Sequence, residues 1–148
     1  MERKAMATSA LLFALATFIL WGTTNFLIGY GEKSLKIDPQ VFTAIMWTSM
    51  GVLGVGMMAY VLLTGREFPI GFNLSVPVAA GLFLGIGILS FSFAMSHTDM
   101  STGATAAVAT SNAVFTVILA LVFLKEDIAL KDWAGIATVI AGIVLLRI

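Results

Sequence analysis

The sequence contains no cysteine and a single histidine among its 148 residues. The absence of cysteine excludes disulfides, thiolate metal sites and thiol catalysis. Eight acidic and eight basic residues make up only 11% of the chain and balance to a net charge of zero, so charge gives no argument for a nucleic-acid partner. We therefore expect no metal, no other cofactor and no nucleic acid.

Charged side chains are also absent from the middle of every long apolar run. An ionisable residue inside a membrane commonly belongs to a proton or ion pathway, and the runs contain none. The sequence also lacks metal-ligand spacing, a phosphate-binding loop and a nucleophile paired with a base. We therefore expect that the protein is not an enzyme, and that any transport is facilitated movement or exchange rather than strict proton coupling.

Apolar residues, in contrast, are abundant. They make up 59% of the chain, against about 45–50% in soluble domains, and the mean hydropathy is +1.03. This composition predicts a multi-pass integral protein of the cell membrane, with the lipid bilayer as its surroundings. The runs lack the alternation of a membrane β-barrel, so the predicted fold class is an all-α bundle of transmembrane helices.

Short connections with charges or turn formers separate the apolar runs. We predict a single domain over residues 1–148 with five membrane-spanning helices, at about residues 7–30, 41–63, 75–96, 101–124 and 131–148. A helix over 101–124 would be about 36 Å long, enough to cross a bilayer core of about 30 Å. The last uncharged stretch, 133–148, would reach only about 24 Å, so it spans if the membrane thins or Lys131 and Asp132 snorkel.

Polar residues inside the runs are candidates for substrate contact. Thr105, Ala109, Asn112 and Thr116 are spaced by four, three and four residues, so they lie on one helical face. This face could meet a substrate, or it could form an ordinary interhelical hydrogen bond worth about 0.6–2 kcal/mol. A comparable polar patch surrounds Asn25 in the first run. The predicted substrate-contacting residues are Trp21, Asn25, Trp47, Asn112 and Thr116.

Small residues recur in the second, third and fourth runs. Gly81 and Gly85 form a GxxxG pair, which allows two helices in lipid to approach closely. Such residues could form a sliding interface around a cavity, or simply pack tightly. The predicted helix-packing residues are Gly51, Gly54, Gly81, Gly85 and Gly103.

Positive charges give a weak orientation signal. With the N-terminus inside, five basic residues lie on the inner side and three on the outer side. The inner set is Arg3, Lys4, Arg66, Lys125 and Lys131, and the outer set is Lys33, Lys36 and Arg147. This bias favours the N-terminus inside, but a chain inserted in both orientations would show the same weak bias.

Several segments together resemble a known family. They are residues 20–26 with Lys33, then Ala94, 115–120, 123–126, 133–135 and 140–142. Over essentially the whole chain the sequence resembles the EamA domain of the drug/metabolite transporter superfamily. Two departures are Ala113, where family members often have proline, and the absence of the arginine often found near the position of Trp47.

The resemblance implies an architecture and a function. Longer members contain two five-helix units as inverted repeats, with the substrate near the midplane between them, and this chain resembles one unit. It implies a small transporter or exporter of a polar or amphipathic metabolite that works by alternating access, as an antiparallel dimer with itself or with a paralogue. One alternative is a non-transporting membrane subunit that packs against a larger partner. A proton-coupled multidrug pump is less favoured, because such pumps resemble four-helix chains with a glutamate in the first helix, and we expect no acidic residue in the first helix here.

Overall fold

The computed structural model of the chain describes residues 2–97, 99–125, 127 and 129–146. All the regular elements in these ranges are helical. Backbone groups in lipid find no water, so a spanning segment satisfies them best within its own helix. The structure thus confirms the predicted all-α membrane fold class.

Six α-helices and two π-helical turns form the described part of the chain. In chain order they are α1 (Glu2–Gly29), a first π-helical turn (Tyr30–Ser34), α2 (Pro39–Leu63), α3 (Phe72–Ser96), α4 (Thr102–Thr110), α5 (Asn112–Leu119), a second π-helical turn (Ala120–Leu124) and α6 (Leu130–Leu145).

Four helical stretches of the described residues are long and apolar enough to cross a membrane. They are Leu12–Ser34, Pro39–Leu63, Phe72–Ser96 and Thr102–Leu124. Helix α6 has 16 residues, which gives a length of about 24 Å. Arg147, one of the predicted outer basic residues, and Glu126, in the family-like segment 123–126, lie outside the described residues.

The fourth span is interrupted at Ser111, where α4 ends and α5 begins. The Ser111 amide donates to the Val108 carbonyl at 3.3 Å, and the Val114 amide donates to the Ser111 carbonyl at 3.0 Å. Both bonds join residues three positions apart, so the chain turns more tightly here than in an α-helix. The predicted polar face from Thr105 to Thr116 is therefore divided between two helical segments.

The chain divides into two compact units, Met1–His97 and Thr98–Ile148. Most large apolar side chains of both units are exposed in the isolated chain, as expected for side chains that face lipid tails. The first unit buries both polar and apolar groups, namely Asn25, Ile28, Glu32, Thr43, Ser92 and Met95, and the second unit buries Thr105.

The capping residues explain where the helices begin. The Asp38 carboxylate accepts hydrogen bonds from the amides of Gln40 (2.8 Å) and Val41 (3.2 Å), and Pro39 occupies the first turn of α2. The Ser101 hydroxyl accepts from the Ala104 amide at 3.2 Å at the start of α4. Both helices thus begin at polar side chains that satisfy free backbone amides.

The first π-helical turn brings the end of α1 against the start of α2. The Leu35 amide donates to the Tyr30 carbonyl at 3.1 Å, five residues back. Gly31 lies inside the turn and is buried. A Cβ atom added at Gly31 would overlap the Phe42 ring and lie 2.8 Å from its Cδ2 atom. Only glycine therefore fits between this turn and Phe42 as the ring is placed.

We predict that Gly31→Ala destabilises the protein by about 1–3 kcal/mol, because the ring of Phe42 must move to admit the new methyl group. Gly22→Ala in α1, the helix that leads into this turn, is the matched control, since no heavy atom lies within 4 Å of its added Cβ. That change should be neutral or slightly stabilising. The measurement is the free energy of unfolding in mixed detergent and SDS micelles. Equal effects of the two variants would contradict the close approach of Phe42.

Candidate functional site

The first unit contains a buried polar cluster, which we define as Asn25, Glu32, Thr43 and Ser92. Their exposed fractions are 8%, 5%, 1% and 0%. Asn25 comes from α1, Glu32 from the π-helical turn, Thr43 from α2 and Ser92 from α3. Every helical segment of the first unit thus contributes one polar side chain to its interior.

Helical spacing explains why α1 contributes to this interior. Asn25, Ile28 and Glu32 are separated by three and four residues, so they lie along one face of the helix. All three are buried. Because the helix continues past Gly29 into the π-helical turn, Glu32 lies within the span Leu12–Ser34. This corrects the expectation that the first membrane helix has no acidic residue.

Ser92 links the three segments at this end of the unit. Its hydroxyl donates to the Glu32 carboxylate, and its oxygen also lies 3.3 Å from the Pro39 carbonyl oxygen. Glu32 belongs to the π-helical turn, Pro39 is the first residue of α2, and Ser92 is near the end of α3. One hydroxyl is thus within hydrogen-bonding distance of acceptors from both other segments.

Two oxygens of the cluster are not satisfied by the protein. Among the residues that the structure describes, Glu32 Oε2 and Thr43 Oγ1 are buried side-chain atoms without a hydrogen-bond partner. Hydroxyls elsewhere in the spans donate to the carbonyl four residues earlier, as Thr48 does to Ala44 and Ser90 does to Ile86. Thr43 does not make this bond. Two hydrogen-bonding positions inside the first unit therefore remain open.

The chemistry of the cluster limits what it could bind. Its side-chain oxygens are a carboxylate, an amide oxygen and two hydroxyls, and the Pro39 carbonyl lies beside them. Such oxygens favour a proton or a hard cation over a soft metal. Across the described ranges, no group of three or more His, Cys, Asp or Glu side chains could hold a metal ion. With a single carboxylate, the cluster suits a proton better than a divalent metal.

A cavity of about 360 Å³ lies in the first unit between α1, α2 and the connection just before α2. Most of its lining is apolar, and the polar groups in it are the hydroxyls of Thr24 and Ser49. Its other lining residues are Leu27, Ile28, Ile37, Phe42, Ile45 and Met46. Ile28 is also a core residue, so the cavity borders the interior that holds the buried polar cluster.

A second cavity, of about 520 Å³, lies in the second unit. Its charged lining residues are Asp127, Lys131 and Asp132, from the connection before α6 and its first turn. The remaining lining residues are small or apolar: Ala113, Val114, Val117, Ala120, Gly135, Ile136 and Val139. This cavity therefore has an apolar wall and charged groups of both signs.

The structure places three predicted substrate-contacting residues in the first unit. Asn25 is buried in the polar cluster, whereas Trp21 and Trp47 are 46% and 41% exposed. The indole ring of Trp47 lies 3.8 Å from the position of a Cβ atom added at Gly85, so it packs against the backbone of α3. Trp47 thus fills part of the interface between α2 and α3.

The other two predicted residues, Asn112 and Thr116, are exposed on α5. The Thr116 hydroxyl donates to the Asn112 carbonyl at 3.1 Å. Neither of the two cavities is lined by any of the five predicted residues. The structure therefore brings only Asn25 into a buried polar site.

The predicted helix-packing glycines differ in their surroundings. Gly85 faces Trp47, as described above. An added Cβ would meet no heavy atom within 4 Å at the other four positions, which are Gly51, Gly54, Gly81 and Gly103. Their helix faces are therefore open in the isolated chain.

Glu32 and Ser92 are not among the site residues predicted from the sequence. Glu32 could have been found from its spacing, because it follows Asn25 by seven residues, or about two helical turns. It was hidden by the end of the uncharged run at Tyr30, which suggests that the helix stops there. No local pattern identifies Ser92, because its partner is 60 residues away in the sequence.

Comparison with known proteins agrees with this architecture. The model of the EamA-like transporter family matches residues 8–148. "Uncharacterized inner membrane transporter YedA" of Escherichia coli K12 is 29% identical over 148 residues, which cover 98% of this chain and 45% of that protein. Proteins with the same name from E. coli O6:H1 and O157:H7 give the same values. The chain thus spans about half the length of these curated relatives.

No solved structure matches the chain significantly. The family match confirms the resemblance drawn from the sequence motifs and the location in the cell membrane, and it favours a transporter over an enzyme. Because this match covers nearly the whole chain, the chain belongs to the EamA-like transporter family.

Proposed function

We propose that this protein transports a polar or amphipathic small metabolite across the cell membrane by alternating access. The observation that carries the proposal is the family match over residues 8–148. The name of the E. coli relatives, inner membrane transporter, supports the same function. The buried polar groups and the apolar cavity of the first unit are features that a polar or amphipathic solute could use.

We further propose that a second copy of the chain completes the pathway in inverted orientation. The chain covers only 45% of its relatives, and transporters of this general kind hold their substrate between two inverted repeats. The open glycine faces at Gly51, Gly54, Gly81 and Gly103 are suited to close helix packing with such a copy. The weak bias of positive charge also permits insertion in both orientations.

Transport itself can be tested with the purified protein in liposomes. The vesicles are incubated with a defined mixture of amino acids, amines, sugars and organic acids, and their contents are measured by mass spectrometry. We expect enrichment or exchange of at least one solute relative to protein-free vesicles. If no solute class moves through correctly inserted protein, the chain fits the alternative of a non-transporting membrane subunit.

We predict that Asn112→Leu lowers transport about two- to tenfold, because a hydrogen bond to the solute worth about 0.5–1.5 kcal/mol is lost. Asn73→Leu is the matched control, since Asn73 lies in the first turn of α3 and is exposed. The initial rate of uptake is measured at equal amounts of inserted protein. Full activity of Asn112→Leu, or an equal loss in Asn73→Leu, would argue against a polar face on α5.

Inverted pairing predicts that each connection of the chain is found on both sides of the membrane. The chain has no native cysteine, so Glu67→Cys and Asp99→Cys each introduce a unique label at an exposed position in a different connection. Acidic residues contribute little to orientation, so these changes preserve the charge bias. In intact cells, a membrane-impermeant maleimide should label both variants in part, and permeabilisation should complete the reaction.

A single orientation gives a different pattern. One of the two variants would then react fully in intact cells, while the other would react only after permeabilisation. That result would refute an antiparallel pair of identical chains and leave a paralogous partner as the source of the inverted unit.

A further inference from the structure

Among the first-unit side chains that the structure describes, Glu32 is the buried acidic residue. Its side chain is 5% exposed, and one hydroxyl, that of Ser92, contacts its Oε1 atom. The other carboxyl oxygen, Oε2, has no hydrogen-bond partner among the described residues. A buried carboxylate with an unsatisfied oxygen is costly while it carries a charge, and much less costly once it is protonated.

Ser92 is arranged to satisfy this carboxyl group in both states. A hydroxyl has a single proton to donate but can also accept. When Glu32 is ionised, Ser92 donates to Oε1. When Glu32 is protonated on Oε1, the carboxyl group donates to Ser92 Oγ, and the Ser92 proton turns to the Pro39 carbonyl oxygen, 3.3 Å away. The geometry therefore supplies a partner for the serine hydroxyl whichever state the carboxyl group adopts.

We propose that Glu32 is a proton-binding site, with Ser92 and the Pro39 carbonyl as the groups that accommodate both of its protonation states. The step is a simple proton exchange: an O–H bond of hydronium breaks as an O–H bond forms at the Glu32 carboxylate, which leaves water, and the reverse step returns the proton to water. Glu32 lies two residues before the end of its span, Leu12–Ser34, so water at the membrane surface is its source of protons.

The surrounding charges do not provide another site of this kind. The π-helical turn also holds Lys33, the connection after it holds Lys36, and Asp38 caps α2. Helix α3 contributes Ser92 and Met95 and has no charged side chain. His97, beyond its end, is exposed and has its Nδ1 atom 2.7 Å from the Phe93 carbonyl oxygen. Glu32 is thus the acidic group enclosed by all three helical segments.

Proton exchange at Glu32 would change the link between α3, the π-helical turn and α2. Resting on the transport function proposed above, this change gives the protein a proton-coupled step. It differs from the expectation of facilitated movement or exchange, which followed from the absence of charged side chains in the middle of the apolar runs.

Infrared difference spectroscopy of the full-length protein in lipid nanodiscs tests the site, with the proton as the ligand. We expect a protonated-carboxyl C=O band that disappears as the pH is raised and that shifts on labelling with [13C]glutamate. The band should be lost in Glu32→Gln and kept in Glu67→Gln, which changes an exposed glutamate. In Ser92→Ala the band should move to higher frequency, because the carboxyl group loses a hydrogen bond.

Other outcomes would overturn the proposal. They are the absence of a titrating glutamate band, a band that persists in Glu32→Gln, and a band removed by NaCl at constant pH, which would indicate a sodium site. If Glu32→Gln does not fold, the [13C]glutamate shift in the wild type and the Ser92→Ala frequency still decide the assignment.

The transport function is tested separately in the liposome assay. If Glu32 titrates but the protein moves no solute, the proton-binding site is supported and its role in coupled transport is refuted. Transport that proceeds equally well in Glu32→Gln and without a pH gradient would likewise separate the two proposals.

Discussion

The contact between Ser92 and Glu32 is the interaction on which the first unit depends. It joins residues 60 positions apart and lies beside the Pro39 carbonyl, so one hydroxyl ties the end of α3 to the end of the first span and the start of α2. Lipid tails are as apolar as the side chains, so the hydrophobic effect gives little free energy for helix association in a membrane. Polar contacts and close packing therefore determine which helices meet. A single buried serine can therefore set the arrangement of three helical segments.

Close packing determines where that contact forms. The π-helical turn carries Glu32 inward only because Gly31 lets the turn lie against the ring of Phe42. Further along α2, the Trp47 ring packs against Gly85 of α3. Both contacts pair an aromatic ring with a glycine on a neighbouring segment. Two aromatic–glycine contacts, Phe42 with Gly31 and Trp47 with Gly85, thus pack the helical segments that hold the polar cluster.

Sequence and structure agree where a property is local. Hydropathy depends on residues within one run, so the spans follow from composition, and Asn25 stands out because it interrupts an apolar face. The position of Glu32 is different, because the helix continues past Tyr30 only through a turn that packs on Phe42. Ser92 resembles the serines that bond to their own helix, such as Ser90. Its role depends on a distant partner, which a single sequence cannot reveal.

The distribution of polar groups bears on the proposal that a second copy completes the pathway. The first unit turns its polar side chains inward around Glu32 and Ser92, where Glu32 Oε2 and Thr43 Oγ1 have no hydrogen-bond partner among the described residues. Asn112 and Thr116 on α5, in contrast, are exposed, and an exposed amide in lipid needs a partner or water. The inverted second copy proposed above would supply that partner and enclose a path for a solute. In these proposals, the buried site at Glu32 binds a proton, and the exposed polar face of α5 is covered by the second copy.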